Sequence, residues 1–249
     1  MTSGRDTPAG CLPWGFAGSL AWGFTAVVLW LGAQIVVGEV VVATLFNDLS
    51  ADPERRLAYA PFVSVVTLGA MIVPLVVIVA AVRAAHCDPA EYLGLRMPAA
   101  RYLWIGLGTL AVVIPLVDLV SWLAGYPVTP DFVVEVYRSA EATGTLLLLA
   151  IALAVAAPVV EETIFRGFLL PGLAQSMLGT AGALLFTSLS WALLHAQYQP
   201  FYLIQIVLLG VVFGWLRLKS GSTLLTILLH GLLNLAALVQ AAAIAEWVN

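Results

Sequence analysis

From Gly167 to Leu216 the chain runs for fifty residues without an Asp, Glu, Lys or Arg, and residues 7–38, 57–82, 142–160 and 220–245 are also free of charge. In hydrocarbon every backbone N–H and C=O must find a partner within the chain, so runs of this kind can persist only as helices, and about 20 residues suffice to cross. The 249 residues are 62% apolar and 10% charged, against about 45–50% and about 25% in soluble domains. An ordinary water-soluble globule is excluded. The expected fold is all-α, a polytopic membrane bundle with about seven transmembrane helices near 15–45, 60–82, 102–124, 144–172, 180–197, 200–217 and 223–246. The first run exceeds one span, so a break near Gly38–Glu39 would add an eighth crossing. No linker, repeat or low-complexity segment divides the chain, which reads as one transmembrane domain over 1–249.

The net charge of −4, without a Lys/Arg-rich run, gives no purchase for a polyanion, so nucleic acid is not an expected partner. Cys11 and Cys87 are too few for a disulfide framework, lack metal-binding spacing, and read as packing residues. Arg5, Asp6 and Pro8, with no apolar core before Cys11, argue against a cleavable signal peptide. Loops are expected around 48–56, 83–101, 125–144 and 218–221. Counting Lys and Arg near the span ends puts Arg5, Arg83, Arg96, Arg101, Arg217 and Lys219 on one side and Arg55, Arg56 and Arg138 on the other. The N-terminus is therefore expected in the cytoplasm; the membrane itself is expected to be a bacterial plasma membrane.

An ionisable group inside a membrane helix costs about 2.5–3.5 kcal/mol on insertion scales, so each asks for a reason. Three segments concentrate them: Glu161-Glu162 with Arg166, Trp191 with His195, and His230 with Asn234. Glu162 and Arg166 stand one helical turn apart and can pair. Glu161 is left about 100° round the axis without that partner, and must be protonated, solvated or bound to something positive. His230 and Asn234, also i and i+4, point the same way. The bland alternative is one ion pair plus histidines that bond between helices for packing. Against it, two of the three histidines fall in these segments. Counting rise per residue allows Glu161, His195 and His230 to face one cavity, opened from the cytoplasmic half.

A carboxylate beside an imidazole can take a proton from water and orient it, while a second His with an Asn can donate to the oxyanion formed when water adds to a carbonyl. Those roles describe amide hydrolysis. Alternatively Glu161, His195 and His230 match the two-histidine, one-carboxylate set of catalytic zinc. Neither reading is decided, because no His-Glu-x-x-His is present. No Gly-x-Ser-x-Gly or Gly-x-Gly-Asp supports another protease chemistry.

Glu-Glu-x-x-x-Arg at 161–166, an aromatic-x-x-x-His at 191–195 and His-x-x-x-Asn at 230–234, in that order on apolar helices, resemble the CPBP family. That family comprises CaaX prenyl proteases and bacterial bacteriocin-processing and bacteriocin-immunity proteins. The run Phe165–Leu173, Gly210-x-x-x-Gly214 and Tyr92–Arg96 are also similar to it, and the likeness covers about 144–236. It implies an intramembrane endopeptidase in which Glu161 is the general base, His195 its partner on the water, and His230 with Asn234 the oxyanion donors. Glu162, Arg166 and Trp191 would support the site. Both metal-dependent and glutamate-dependent schemes are described for the family, so zinc stays open. The implied substrate is a peptide or protein at the bilayer, lipidated in the family's best-known cases. One departure is that Trp191 stands where the family usually has Phe, which bears on the shape of the pocket.

Gly210 and Gly214 read as a close-packing face. Asp118 and Glu39 lie in apolar runs without an evident charged partner, His86 reads as a surface group, and Trp14, Trp22, Trp104, Trp122 and Trp247 as interfacial anchors. A non-catalytic immunity or binding protein using the same cavity is the main alternative function. A proton-relaying transporter is disfavoured by the absence of inverted halves in the polar pattern.

Overall fold

The computed structural model describes residues 14–49 and 52–247. Cys11, Arg5, Asp6 and Pro8, on which three of the expectations above rest, lie outside them, as does the side chain of Trp247. The described residues form helices and no strands. Spans of sufficient length and apolarity are α1 (Phe16–Thr44), α2 (Ala60–Ala84), α3 (Ala100–Leu123), then, beyond the surface helix α4 (Asp131–Ala142), α5 (Leu146–Ala174); α6 (Gly179–Leu193) is shorter, and α7 (Pro200–Ser220) and α8 (Thr223–Trp247) complete the set. Six candidate spans plus α6 account for the seven apolar runs. The first run does not break: α1 is one helix, and Gly38 lets Phe62 of α2 pack against it.

Two segments differ from expectation. The segment read as a loop from Gly125 to Gly144 contains α4, whose Val136 and Ala140 are buried against Ala60 and Leu149. Its interspersed charges obscured a helical period of apolar residues at 132, 133, 136 and 140. The run at 180–197 is helical only to Leu193, and His195 lies in the turn that follows.

Prolines shape the longer helices. Pro74 has no N–H to offer Ala70 and clashes with its carbonyl, and α2 is interrupted at Met71. In α5, Pro158 and Pro171 do the same to Ala154 and Gly167. The helix responds with π turns at Ala152–Ala156 and Thr163–Leu169. A π turn takes an extra residue and re-phases the faces on either side. Glu161 and Glu162 sit between the two.

Each end of the bundle is tied by polar contacts. At the N-terminal end Trp14 Nε1–H donates to the Ala81 carbonyl at 2.9 Å and Arg96 Nε–H to the Gly221 carbonyl at 2.9 Å. The Thr223 hydroxyl donates to the Leu93 carbonyl at 2.5 Å. At the opposite end Arg56 pairs with Glu39 at 2.7 Å, the Ala60 amide donates to Ser139 Oγ, and the Tyr202 hydroxyl donates to the Pro127 carbonyl. Glu39 is thus an exposed member of a surface ion pair, which corrects the reading that left it in an apolar run without a charged partner. Cys87 is buried and is not a free thiol.

Candidate active site

Glu162 and Arg166 are both fully buried. Arg166 Nη1–H donates to Glu162 Oε1 at 3.0 Å and Nη2–H to the Gly210 carbonyl at 3.4 Å. The guanidinium lies over the Trp191 ring at 4.3 Å and near the Phe213 ring at 5.8 Å. A cation without water is stabilised here by a carboxylate, a backbone dipole and two π faces. Glycine at 210 is what brings that carbonyl within reach, since a Cβ there would stand 2.9 Å from Ser188 Cβ.

His230 Nδ1 lies 3.0 Å from the same Glu162 oxygen. A carboxylate oxygen already paired with Arg166 accepts, so Nδ1 carries the proton and Nε2 is the free ring nitrogen. His195 Nδ1 lies 3.0 Å from the Trp191 carbonyl. A carbonyl can only accept, which again leaves Nε2 free. Trp191 Nε1–H donates to Glu161 Oε2 at 2.5 Å. Glu161, 8% exposed, therefore has its second oxygen uncommitted. Trp191 also meets the His195 and His230 rings edge-on, each at 5.3 Å between centroids.

Asn234 Nδ2–H donates to the Leu153 carbonyl at 2.7 Å, a group of the first π turn. Next to it Gly231 touches the Ala154 carbonyl, where a Cβ would come within 2.3 Å. The two carbonyls that α5 exposes around Pro158 thus face the helix that carries His230.

Glu161, His195, His230 and Asn234 line a common cavity of about 340 Å³. Their nearest hydrogen-bond partners differ, yet the void is shared. Its wall also includes Tyr198 and Gln34, residues that sequence reasoning missed. Tyr198 lies in the turn after α6, its ring 6.2 Å from that of His195 and edge-on to Phe132 at 5.9 Å. Burial pushes its phenol up to about 12, and the negative charge of Glu161 adds to the rise. The one advance signal was a tyrosine three residues beyond His195, which nothing distinguished from an interfacial anchor.

The cavity runs from mid-bundle at Glu161 and His230 to Leu57, Phe132 and Gln197, elements of the end opposite the N-terminus. An opening on the N-terminal side, as the depth count suggested, is not what forms: α6 is short, and His195 falls beyond its C-terminal end. Entry from the cytoplasm and a cytoplasmic N-terminus are therefore mutually exclusive.

The zinc set does not assemble either. Among the described residues no three His, Cys, Asp or Glu side chains converge closely enough to hold a metal ion, and Glu161 turns Oε2 to the Trp191 indole instead. Asp118 accepts from Gln240 Nε2 at 2.7 Å and lines a separate cavity of about 110 Å³. Gly210 and Gly214 face Ser188 and Leu184 of α6, as close-packing positions should.

Fold and site together define a polytopic helical membrane protein with a buried Glu/Arg/His cluster beside a largely apolar cavity into which Glu161, His195, His230 and Asn234 bring polar groups. Residues 143–236 match the family described as type II CAAX prenyl endopeptidase Rce1-like, so the resemblance carried by the three motifs holds over the segment that contains them. A protein of Escherichia coli called "Uncharacterized 24.3 kDa protein" is 33% identical over 130 residues, 51% of this chain. The chain spans 58% of that relative's length. No solved structure matches.

Proposed function

We propose that the protein is an intramembrane endopeptidase that hydrolyses a peptide bond of a membrane-associated protein or peptide with activated water. The observation that carries this reading is the shared cavity: Glu161, His195, His230 and Asn234 arrive from three separate parts of the chain and line one space. The family match over the same segment supports it.

In this reading water sits between the free oxygen of Glu161 and Nε2 of His195. Glu161 takes the proton as the water oxygen attacks the carbonyl carbon, and the carbonyl oxygen gains the charge. When the C–N bond breaks, Glu161 returns that proton to the leaving nitrogen. Trp191 holds Glu161 from behind. His230 is positioned by Glu162, and Glu162 by Arg166. His230 donates to the oxyanion through Nε2 only as the imidazolium, because Nδ1–H is committed to Glu162. Asn234 keeps one N–H beyond the one given to Leu153.

A lipidated substrate is favoured by a second cavity, apolar and about 470 Å³, between α1 and α6. Leu194 belongs to the walls of both cavities, so a hydrocarbon chain lying there would place the attached peptide beside Glu161. On this reading the membrane is a bacterial plasma membrane and the N-terminus faces the cytoplasm, the orientation that the Lys/Arg count favours, with the cavity opening on the other side.

The test is cleavage of an internally quenched peptide bearing a farnesylated cysteine and a three-residue tail, by full-length protein in proteoliposomes. Glu161→Ala, His195→Ala and His230→Ala should each lose cleavage while remaining folded. Variants that cut as fast as the parent would overturn the reading. If the parent binds the peptide in the cavity without cutting it, the immunity-type binding function takes its place.

A further inference from the structure

The hydrogen-bond donors of the Trp191, His195 and His230 cluster are spent, as is one of the two on Asn234. Trp191 gives its N–H to Glu161, His195 and His230 give Nδ1–H to Trp191 O and Glu162, and Asn234 gives one N–H to Leu153. Both imidazoles, when neutral, present a lone pair rather than a proton to the cavity. A developing oxyanion needs donors aimed at it, and each is worth about 10²–10³ in rate. Two hydroxyls belong to the cavity wall, those of Thr67 and Tyr198. The phenol of Tyr198 is the one beside His195, against which its ring stacks, and near enough to Glu161 to feel its charge.

We infer that Tyr198 is a catalytic residue, its O–H donating a hydrogen bond to the oxyanion that forms when Glu161-activated water adds to the substrate carbonyl. This rests on the endopeptidase reading. The step balances without a co-reactant: the water oxygen bonds to carbon, its proton goes to Glu161, and the carbonyl oxygen carries the charge against the phenol. Collapse then breaks the C–N bond, returns the proton from Glu161 to nitrogen, and leaves the phenol protonated throughout. A phenol that keeps its proton to about pH 12 suits a donor that is never a base. Its position in the turn after α6, held by Phe132 and His195 on its faces and edges, keeps the ring in place without occupying the hydroxyl.

Tyr198→Phe preserves both ring contacts and removes only the hydroxyl. On the farnesylated peptide it should lower kcat about 10²-fold with KM nearly unchanged. Wild-type kcat in Tyr198→Phe, alongside an inactive Glu161→Ala, overturns the role of Tyr198 and leaves the endopeptidase standing. Full activity of Glu161→Ala, or none in the parent, removes the reaction itself and this inference with it. A readout independent of turnover is 19F NMR with 3-fluorotyrosine at position 198. Its phenol should titrate above the free amino acid, chiefly through burial, and fall part of the way in Glu161→Gln; no response to Glu161→Gln would put the hydroxyl away from the reacting carbonyl and overturn the role of Tyr198.

Discussion

Arg166 and Trp191 show what single side chains contribute. Replacing Arg166 by Met leaves the buried Glu162 carboxylate without its guanidinium and with the His230 N–H beside it, which costs about 3–5 kcal/mol. Thermal denaturation in detergent should show that loss, and Glu162→Gln in the same chain should recover part of it. Trp191→Phe tests the departure from the family's usual residue. It keeps a ring beside Arg166 but deletes the N–H to Glu161, a charge-assisted bond worth about 1.5–3 kcal/mol. The expected result is a folded protein whose kcat on the peptide falls about tenfold or more while KM moves little. The pair Glu162–Arg166 was legible from i, i+4 spacing alone. The indole bond was not, because residues 161 and 191 lie on different helices and spacing carries no information about their approach.

Among helices, the contact of α8 with the first π turn of α5 sets the position of His230. Gly231→Ala drives a methyl group to 2.3 Å from the Ala154 backbone oxygen, which cannot rotate away as a side chain would. A loss of about 1–3 kcal/mol is expected from overpacking, with activity falling as α8 is displaced. Gly108→Ala, where a Cβ meets nothing within 4 Å, should be neutral or stabilise by about 0.5–1 kcal/mol through helix propensity. Comparing the two melting curves separates a packing effect from the intrinsic preference. The apolar runs announced these helices to within a few residues, since hydropathy and length are local. The π turns depend on how two prolines are accommodated inside a packed bundle, and α4 was hidden because a half-polar surface helix and a loop share composition.

For the whole molecule, alkaline pH and membrane sidedness are the readable global properties. Tyr92 and Tyr198 hold their protons to about 12 in the fold, against 10.0 ordinarily, chiefly through burial. The unfolded chain releases them first, so stability is intact below pH 10 and falls as pH rises from 10 towards 12. Melting temperatures across that range should decline less steeply in Tyr92→Phe. Sidedness can be scored with a membrane-impermeant maleimide on intact cells, each variant against the parent chain. Gln197→Cys at the cavity mouth should label from outside and Lys219→Cys only after permeabilisation. The reverse pattern would put the mouth in the cytoplasm and the N-terminus outside.

The amino-acid sequence by itself determined the membrane class, the seven apolar helices and the residues singled out for chemistry, because solvent exclusion and one-turn spacing act within a segment. Tertiary structure alone decided which donor meets which acceptor: that Glu162 serves both Arg166 and His230, that Trp191 backs Glu161, that Glu39 sits on the surface, and that the cavity opens away from the N-terminus. Those outcomes depend on the relative depth and rotation of separate helices, which are set by glycine contacts, proline-induced π turns and the early end of α6.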